Sequence, residues 1–466
     1  MNDFDLIIIG TGSGNTIITP EYDELDIAIV ERSVFGGTCL NRGCIPSKML
    51  VHVADTLVAI SDSEKLGINV ADPQVQWLDI KSRIFDERIN PIAEGGEDYR
   101  KGLENVTVFN GEASFVDHGT IRIGDEIIRG SQIVVATGAS PVLPSIYGLE
   151  EIPFHTSDTI MQIEDIPDRL TIVGGGYIAT EMAHIFSSFG SEVTMVVRGA
   201  TLLPQEDISI RSRFTDIFCT RINLQLNTVV TSVQEFGGNI YLNTEMNGSS
   251  GHLETDALLV ATGRLPELDT LNVAAAGVAT KDGYIVTDEN MRTSVENIWA
   301  LGDVTNPHQL KHTANAEAKV VSHNLIHSDL IAIDIEPVPH AVFTNPQVAS
   351  VGATEETLDE SGIPYVSSIA EYADVAYGWA MVDTTGFCKI IANPDNGSIL
   401  GAHIMGPHAS TLIHQLIQGM KFNQSVFELA RGFLYIHPAL SEVVENALIS
   451  VSQLCESHDE NPLNGS

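Results

Sequence analysis

Short, unbroken apolar runs punctuate the chain at FDLIIIG (residues 4–10), DIAIVE (26–31), RLTIVG (169–174) and SEVTMVVR (191–198). Runs of this length with no polar alternation are the pattern of strands buried on both faces. The first run leads into the glycine-rich turn Gly10-Thr-Gly12-Ser-Gly14-Asn15. The third leads into Gly174-Gly-Gly176-Tyr177-Ile178-Ala179, and the stretch TEMAHIFSSFG (180–190) behind it reads as a helix. Strand, glycine turn, helix and second strand thus occur twice, which predicts two duplicated α/β units. QIVVATGASP (132–141) and ALLVATGRLP (257–266) repeat one further turn, at Thr137-Gly138 and Thr262-Gly263, as though each unit closed with a similar element.

This order of elements is a dinucleotide fingerprint: the glycines let backbone approach a pyrophosphate, and the helix N-terminus faces it. In the first unit the second strand ends on Glu31, 21 residues after Gly10, where an acid holds an adenosine ribose. Asn15 replaces the third glycine and can cap the helix start, while Pro20 cuts that helix short. In the second unit the acid is missing, and Val197-Arg198 stands at the strand end. Arg198 either clamps a 2′-phosphate or is an ordinary surface arginine. Acid in the first unit and arginine in the second suggest FAD and NADPH respectively. Tyr177 and Glu181, four apart, share a helix face that could meet both rings, although Glu181 could equally solvate the helix. In IWALGDVTN (298–306), Asp303 follows a strand and could bind ribityl hydroxyls or simply form a turn.

Between the two fingerprints lies GGTCLNRGCIPSK (36–48), with Cys39 and Cys44. Residues five apart on a helix point roughly 140° away from each other, so a regular helix cannot bring the two sulfurs together. Asn41, Arg42 and Gly43 can bend the chain, and Pro46 suits the first turn of a following helix. Cys44 then sits at a helix N-terminus, where thiolate is favoured. A redox pair is the reading; a structural or zinc pair would need shorter loops and further ligands.

Past residue 338 the texture changes to strands and helices in AVFTNPQVASVGAT (341–354), GFCKIIANPDNGSILGAHIMG (386–406) and STLIHQLIQGMKF (410–422), a separate α+β unit. Near its end, His437 and Glu442 in YIHPALSE supply an imidazole suited to acid–base work and a carboxylate to orient it, unless His437 is one more structural histidine among the fifteen. Cys219, Cys388 and Cys455 lack motif spacing and read as plain thiols. With 24 basic against 62 acidic residues and a net charge of −38, nucleic acid is disfavoured as a partner. Anionic cofactors must then be held by local devices. No leader-like start and no run of 18 apolar residues is seen, so a cytoplasmic chain that spans no membrane is expected.

GGTCLNRGCIPSK, the ATG and LGD turns and HPALSE, in this order, resemble the pyridine-nucleotide disulfide oxidoreductases of the glutathione reductase and dihydrolipoyl dehydrogenase type over nearly the full length. The resemblance implies two Rossmann-like dinucleotide-binding domains (FAD and NAD(P)) plus a C-terminal α+β dimerisation domain. The boundaries expected are 1–149 and 271–338 for FAD, 150–270 for NAD(P)H, 339–455 for dimerisation and a polar, disordered tail at 456–466. It implies a homodimer in which NADPH reduces FAD and FAD reduces the Cys39–Cys44 disulfide. Cys44 would be proximal to the flavin, and Cys39 would attack a low-molecular-weight disulfide. His437 of the partner subunit, held by Glu442, would protonate the leaving thiolate, and Lys48 would pair with Glu181. For the cofactors it implies Gly10, Gly12, Gly14, Glu31, Gly37, Thr38, Ala113, Thr137, Gly138, Gly174, Gly176, Tyr177, Ile178, Arg198, Gly263, Arg264, Asp303 and His312, with no metal. The usual second arginine, six residues after Arg198, is Pro204, which loosens the expected 2′-phosphate grip.

Within the family, GTGSGN, Pro20 and the run DVAYGWAM (374–381) resemble the branch whose substrate is an uncharged, sugar-bearing disulfide. Two other readings stay open: an NAD-dependent dihydrolipoyl dehydrogenase, and a non-catalytic flavoprotein docking subunit that keeps the disulfide as a staple.

Overall fold

The structure is a computed structural model that describes residues 2–459. The apolar runs form the centres of two parallel sheets. In the first, Val106–Asn110, Ile27–Glu31, Asn2–Ile9 and Glu126–Val135 lie side by side and parallel. Ile298–Ala300 joins the last of these, and the antiparallel strands Thr120–Ile123 and Ala113–Asp117 extend the sheet. In the second, Asn223–Gln225, Glu192–Val196, Arg169–Val173 and Ala257–Val260 are all parallel. Ile7, Ile8, Ile29, Leu170, Ile172 and Leu258 are fully buried, as strands covered on both faces require. At Gly10, φ is +101° and a side-chain Cβ would stand 2.3 Å from the Ala136 carbonyl oxygen. Only glycine lets the first strand turn there.

The repeated ATG turns meet each other. Ser140–Pro141 and Arg264–Leu265, just after them, pair as a short antiparallel ladder, and Arg264 donates to the Ala139 carbonyl at 2.6 Å. Beyond residue 338, Pro339–Val342, Val348–Gly352, Ile399–Met405, Phe387–Ala392 and Val366–Glu371 form a five-stranded antiparallel sheet. The helix Ser441–Asp459 buries Val443, Val444, Ala447, Leu448 and Val451 in the core of this unit.

Three expectations need correction. The first glycine turn leads to no α-helix but to a single 3₁₀ turn, Gly14–Thr16, with another at Pro20–Tyr22. Asn15 caps nothing: its side-chain and main-chain oxygens accept from Arg100 at 2.8 and 2.7 Å, so a distant guanidinium pins the turn. The polar stretch at 456 begins as helix, through Asp459; residues 460–466 lie outside the described residues. Among the described residues one helical stretch, Gly37–Leu66, is long and apolar enough by length and composition to cross a membrane, as the core helix of a globular protein can be. Its apolar face, Leu50, Val51 and Ala54, is buried in the core cluster that includes Met182 and Ile185.

A buried polar junction ties the second parallel unit to the C-terminal sheet. Asp207 caps the helix Ile208–Phe218 by accepting from the Ser209 N–H. The same carboxylate accepts from Lys389 Nζ at 2.7 Å, and Lys389 also pairs with Glu355 at 2.9 Å. Glu206 next to it binds His340 at 2.6 Å and the Ser350 hydroxyl. Burial pushes the Glu206 carboxyl up, but the bonds and charge of His340 and Ser350 pull it below the usual range. Burial pushes His340 down, and Glu206 outweighs this and raises it.

Lys389→Met should leave the buried Asp207 carboxylate without its cation and cost about 3–5 kcal/mol, read as a lower denaturant midpoint. For Glu206 and His340 the signs are opposite. The depressed carboxylate contributes above the ordinary range near pH ~4 and loses this as pH falls through its folded value; the raised imidazole contributes at low pH and loses this as pH rises through its own. The stability gap between the protein and a Glu206→Gln variant, followed by urea unfolding across pH, should therefore narrow at both ends.

Candidate active site

The cysteines sit on two helices, not on one bent turn. Gly37–Arg42 carries Cys39, the chain breaks at Gly43 (φ −139°, ψ −119°), and Cys44 is the first residue of the helix Cys44–Asp62. Asn41 and Arg42 remain helical, so Gly43 alone makes the break. Both sulfurs are free thiols here, Cys44 exposed and Cys39 half-buried. The two share a hydrogen bond. The hydrogen bond from Cys39 lowers Cys44 to about 7 against the opposing effect of burial, with help from Lys48 and Lys311. The same bond, followed by burial, raises Cys39. One proton is thus shared and one thiolate exposed at a helix N-terminus.

Lys48, one turn along, donates to both carboxylate oxygens of Glu181 at 2.8 and 2.7 Å. Glu181 is buried on the helix Tyr177–Ser188 behind the second glycine turn. Its Oε1 also accepts from the Phe343 N–H at 3.0 Å, and the Lys48 ammonium stands 4.6 Å from the Phe343 ring centroid. Three segments far apart in sequence therefore converge on one ion pair. Phe343 was missed from the sequence because its part is played by backbone N–H and ring face. Lys311 was missed because no motif marks it; its Nζ donates to Ser13 in the first glycine turn at 2.8 Å.

Glycine turns and strand ends line the two expected nucleotide cradles. Glu31 ends the second strand, nine-tenths buried, and its Oε2 accepts from the Thr11 N–H and hydroxyl while its Oε1 accepts from the Ser33 N–H. A Cβ on Gly37 would fall 2.6 Å from Gly12 Cα, so glycine turn and redox segment touch backbone to backbone with Thr38 alongside. Gly14 packs on Ile8 and Ala136. Ala113 begins an extending strand and is buried. Asp303 lies in the 3₁₀ turn Gly302–Val304; burial raises its carboxyl against the pull of Arg264 and Lys311. His312, in the first turn of Lys311–Ile326, donates from Nε2 to the Pro339 carbonyl at 2.9 Å.

In the second unit, Gly174 (φ +139°) abuts the Ala261 carbonyl while Gly176, and Gly138 and Gly263 of the ATG turns, face open space. Ile178 is half-buried and Tyr177 exposed on the helix that follows, with Thr137 exposed at the first ATG turn. Arg264 is held by Asp158 at 3.0 Å and by the Ser157 hydroxyl at 2.8 Å. Arg198 is exposed. Among the described residues no cluster of three or more His, Cys, Asp or Glu could hold a metal.

At the far end of the chain, His437 Nδ1 bonds Glu442 at 2.7 Å, and Glu442 also accepts from the Ala439 N–H. These bonds hold the Glu442 carboxyl below its ordinary value. His437 is 72 % exposed and bonds neither cysteine of its own chain. Around it, Phe433, Leu434 and Ile436 are exposed too.

Comparison with known proteins decides the family. Residues 4–319 match the pyridine nucleotide-disulphide oxidoreductases and residues 338–448 the dimerisation domain of the same group. The chain belongs to the pyridine nucleotide-disulphide oxidoreductases. Its relatives in this family include mycothione reductase of Mycobacterium tuberculosis, 44% identical with 97% of this chain and 100% of that protein covered. Dihydrolipoyl dehydrogenase of Haloferax volcanii is 32% identical, covering 95% and 96% respectively. Mercuric reductase of Staphylococcus aureus is 33% identical, covering 92% of this chain and 79% of its own. Among solved structures of oxidoreductases, the HOCl-induced flavoprotein disulfide reductase RclA from Escherichia coli superimposes with a TM-score of 0.84 at 28% identity, over 96% of this chain and all of its own.

The dithiol of this oxidoreductase should lose its first proton at pH about 7, so the alkylation rate of the reduced pair by iodoacetamide should rise through that pH. Lys48→Met removes the nearby cation and should move the profile up by about one unit.

Proposed function

We propose that the protein reduces mycothione to mycothiol with NADPH, working as a cytoplasmic homodimer through FAD and the Cys39–Cys44 disulfide. One observation carries this reading: a hydrogen-bonded thiol pair at a helix N-terminus stands between two glycine cradles, in a chain whose likeness to a mycothione reductase runs from end to end. FAD, when bound, supplies the two-electron relay between the nicotinamide hydride and the cysteine disulfide. Gly10, Gly12, Gly14 and Glu31 would hold its adenosine half, and Asp303 its ribityl chain. Gly174, Gly176 and Arg198 would hold NADPH. The division into 1–149 with 271–338, 150–270 and 339–455 belongs to the same proposal.

The reduced pair then acts by thiol–disulfide exchange. Cys39 gives up its proton to His437 of the partner subunit and attacks one substrate sulfur, forming a mixed disulfide and displacing the other half as thiolate. His437 of the partner subunit, its ring aligned by Glu442, donates the proton that thiolate needs. Cys44 attacks Cys39, which releases the second half and restores the Cys39–Cys44 disulfide. Until Cys44 re-enters the disulfide, the Lys48 ammonium favours negative charge on its sulfur. The net charge of −38 favours an uncharged disulfide over glutathione disulfide, whose anionic groups it repels.

The test is anaerobic reduction of the purified holoenzyme by NADPH, followed by mycothione, glutathione disulfide or lipoamide in separate samples. Reoxidation by mycothione alone is expected; reoxidation by lipoamide instead would replace the proposal with a dihydrolipoyl dehydrogenase. His437→Ala should lose about 10²–10⁴-fold in turnover yet still accept electrons from NADPH. Arg198→Ala should raise the KM for NADPH about tenfold and leave that for NADH unchanged. Equal kcat/KM for the two nucleotides in the parent would remove the role given to Arg198.

A further inference from the structure

His184 is a fully buried, ionisable side chain to which the reaction assigns nothing. It sits on the same helix as Glu181, three residues on, and therefore on the same face. Its Nε2 lies 2.9 Å from Asp55 Oδ1, and Asp55 is seven residues, or two turns, beyond Lys48 on the redox helix Cys44–Asp62. The two helices are thus joined twice along one seam: by Lys48 and Glu181 beside the cysteines, and by Asp55 and His184 about 10 Å further along. Val51 and Ala54 of the redox helix and Met182 and Ile185 of its neighbour belong to one buried apolar cluster.

The other imidazole nitrogen faces a guanidinium. Arg221 Nη2 stands 3.3 Å from His184 Nδ1 and also donates to Ser188 at 3.2 Å, while Nη1 donates to the Asn345 carbonyl at 2.9 Å. Arginine can only donate, so Nδ1 must accept and the proton lies on Nε2, directed at Asp55. Burial favours this neutral ring by lowering its basicity, against the opposing pull of Asp55. Two chains of contacts therefore join the same three segments, the second by way of Arg221 from a fourth. Phe343, Glu181 and Lys48 form one; Asn345, Arg221, His184 and Asp55 form the other.

We infer that His184 is a positioning residue: through Asp55 it fixes the rotation of the redox helix about its axis and so keeps the Lys48 ammonium beside the Cys39–Cys44 pair. The inference rests on the proposed role of that pair as the reducing dithiol. Apolar contacts alone are non-directional and let a helix turn. With side chains reaching about 5–6 Å from the axis, a rotation of about 20° carries the tip of Lys48 by about 2 Å. Directed hydrogen bonds at both ends of the seam remove that freedom. The groups that face the dithiol are Lys48 on its own helix, Tyr177 and Glu181 on the neighbouring helix, and Lys311. Those that face His184 are Asp55, Glu181 and Arg221, with Asp62 near the last.

The experiment is the pH profile of iodoacetamide alkylation of the reduced holoenzyme, with the labelled cysteine assigned by mass spectrometry. His184→Leu should slow alkylation at pH 7 about three- to fivefold, the effect of moving a charge from about 5 to 7 Å at an effective dielectric constant near 20, and should shift the profile upward. His184→Gln, which can donate to Asp55 and accept from Arg221, should stay within about twofold of the parent. A His184→Leu protein with a lower melting temperature but an unchanged profile would make the residue a packing element and overturn the inference. If that variant does not fold, Asp55→Ala decides, because Asp55 is one-third exposed. Loss of its negative charge by itself would lower the thiol pKa, whereas a freed Lys48 raises it, so an unchanged or lowered profile overturns the inference. Failure of the underlying reading looks different: the parent's pair would then not be reduced by NADPH at all.

Discussion

The ion pair between Lys48 and Glu181 is the point on which the rest of this structure depends. Its cation comes from the helix that begins at Cys44, its carboxylate from the helix behind the second glycine turn, and its third partner, the Phe343 N–H, from the segment leading into the C-terminal sheet. Glu181 is buried with its side chain 4% exposed, and a carboxylate there is tolerable only when its lone pairs are met. The requirement works in both directions. It forces three segments into register, and it delivers a cation to the thiol pair at no further desolvation of Lys48, which stays half-exposed.

A chain of such negative charge must concentrate its positive potential. Lys48 and Lys311 flank the cysteines, Arg264 crosses between the two ATG turns, and a 19-residue helix aims its N-terminus at Cys44. Each of these acts over a few ångströms, within the screening length of about 8 Å at physiological salt, so the global charge does not cancel them. The outcome is a site whose thiolate is stabilised locally on a surface that repels anions at long range, a combination that suits an uncharged disulfide.

The same economy of pairing holds the units of the fold to one another. Asp207 with Lys389 and Glu206 with Ser350 are buried groups, joined by the half-buried Glu355 and His340, and they link the second parallel unit to the C-terminal one. Removing any single member strands the rest, which makes the contact between the second parallel unit and the C-terminal sheet specific rather than merely sticky. Arg100, reaching back to Asn15, plays a similar part where the first glycine turn lacks its helix.

What the sequence determined by itself was everything that local chemistry dictates: strands wherever Val and Ile run unbroken, turns wherever glycine must take a positive φ, Cys44 at the head of a helix because Gly43 precedes it, and His437 within reach of Glu442 five residues on. Those features depend on neighbours along the chain, and the chain displays them. It misjudged the first helix, since Arg100 and Asn15 lie 85 residues apart and nothing local records that one pins the other. Tertiary structure alone decided which distant groups share a proton or a charge: Phe343 on Glu181, Lys311 on Ser13, His184 between Asp55 and Arg221, and the two ATG turns laid edge to edge. The physical reason is that hydrogen bonds and ion pairs are short-ranged and directional, so their partners are selected by how the sheets and helices pack, and spacing along the sequence carries no trace of them.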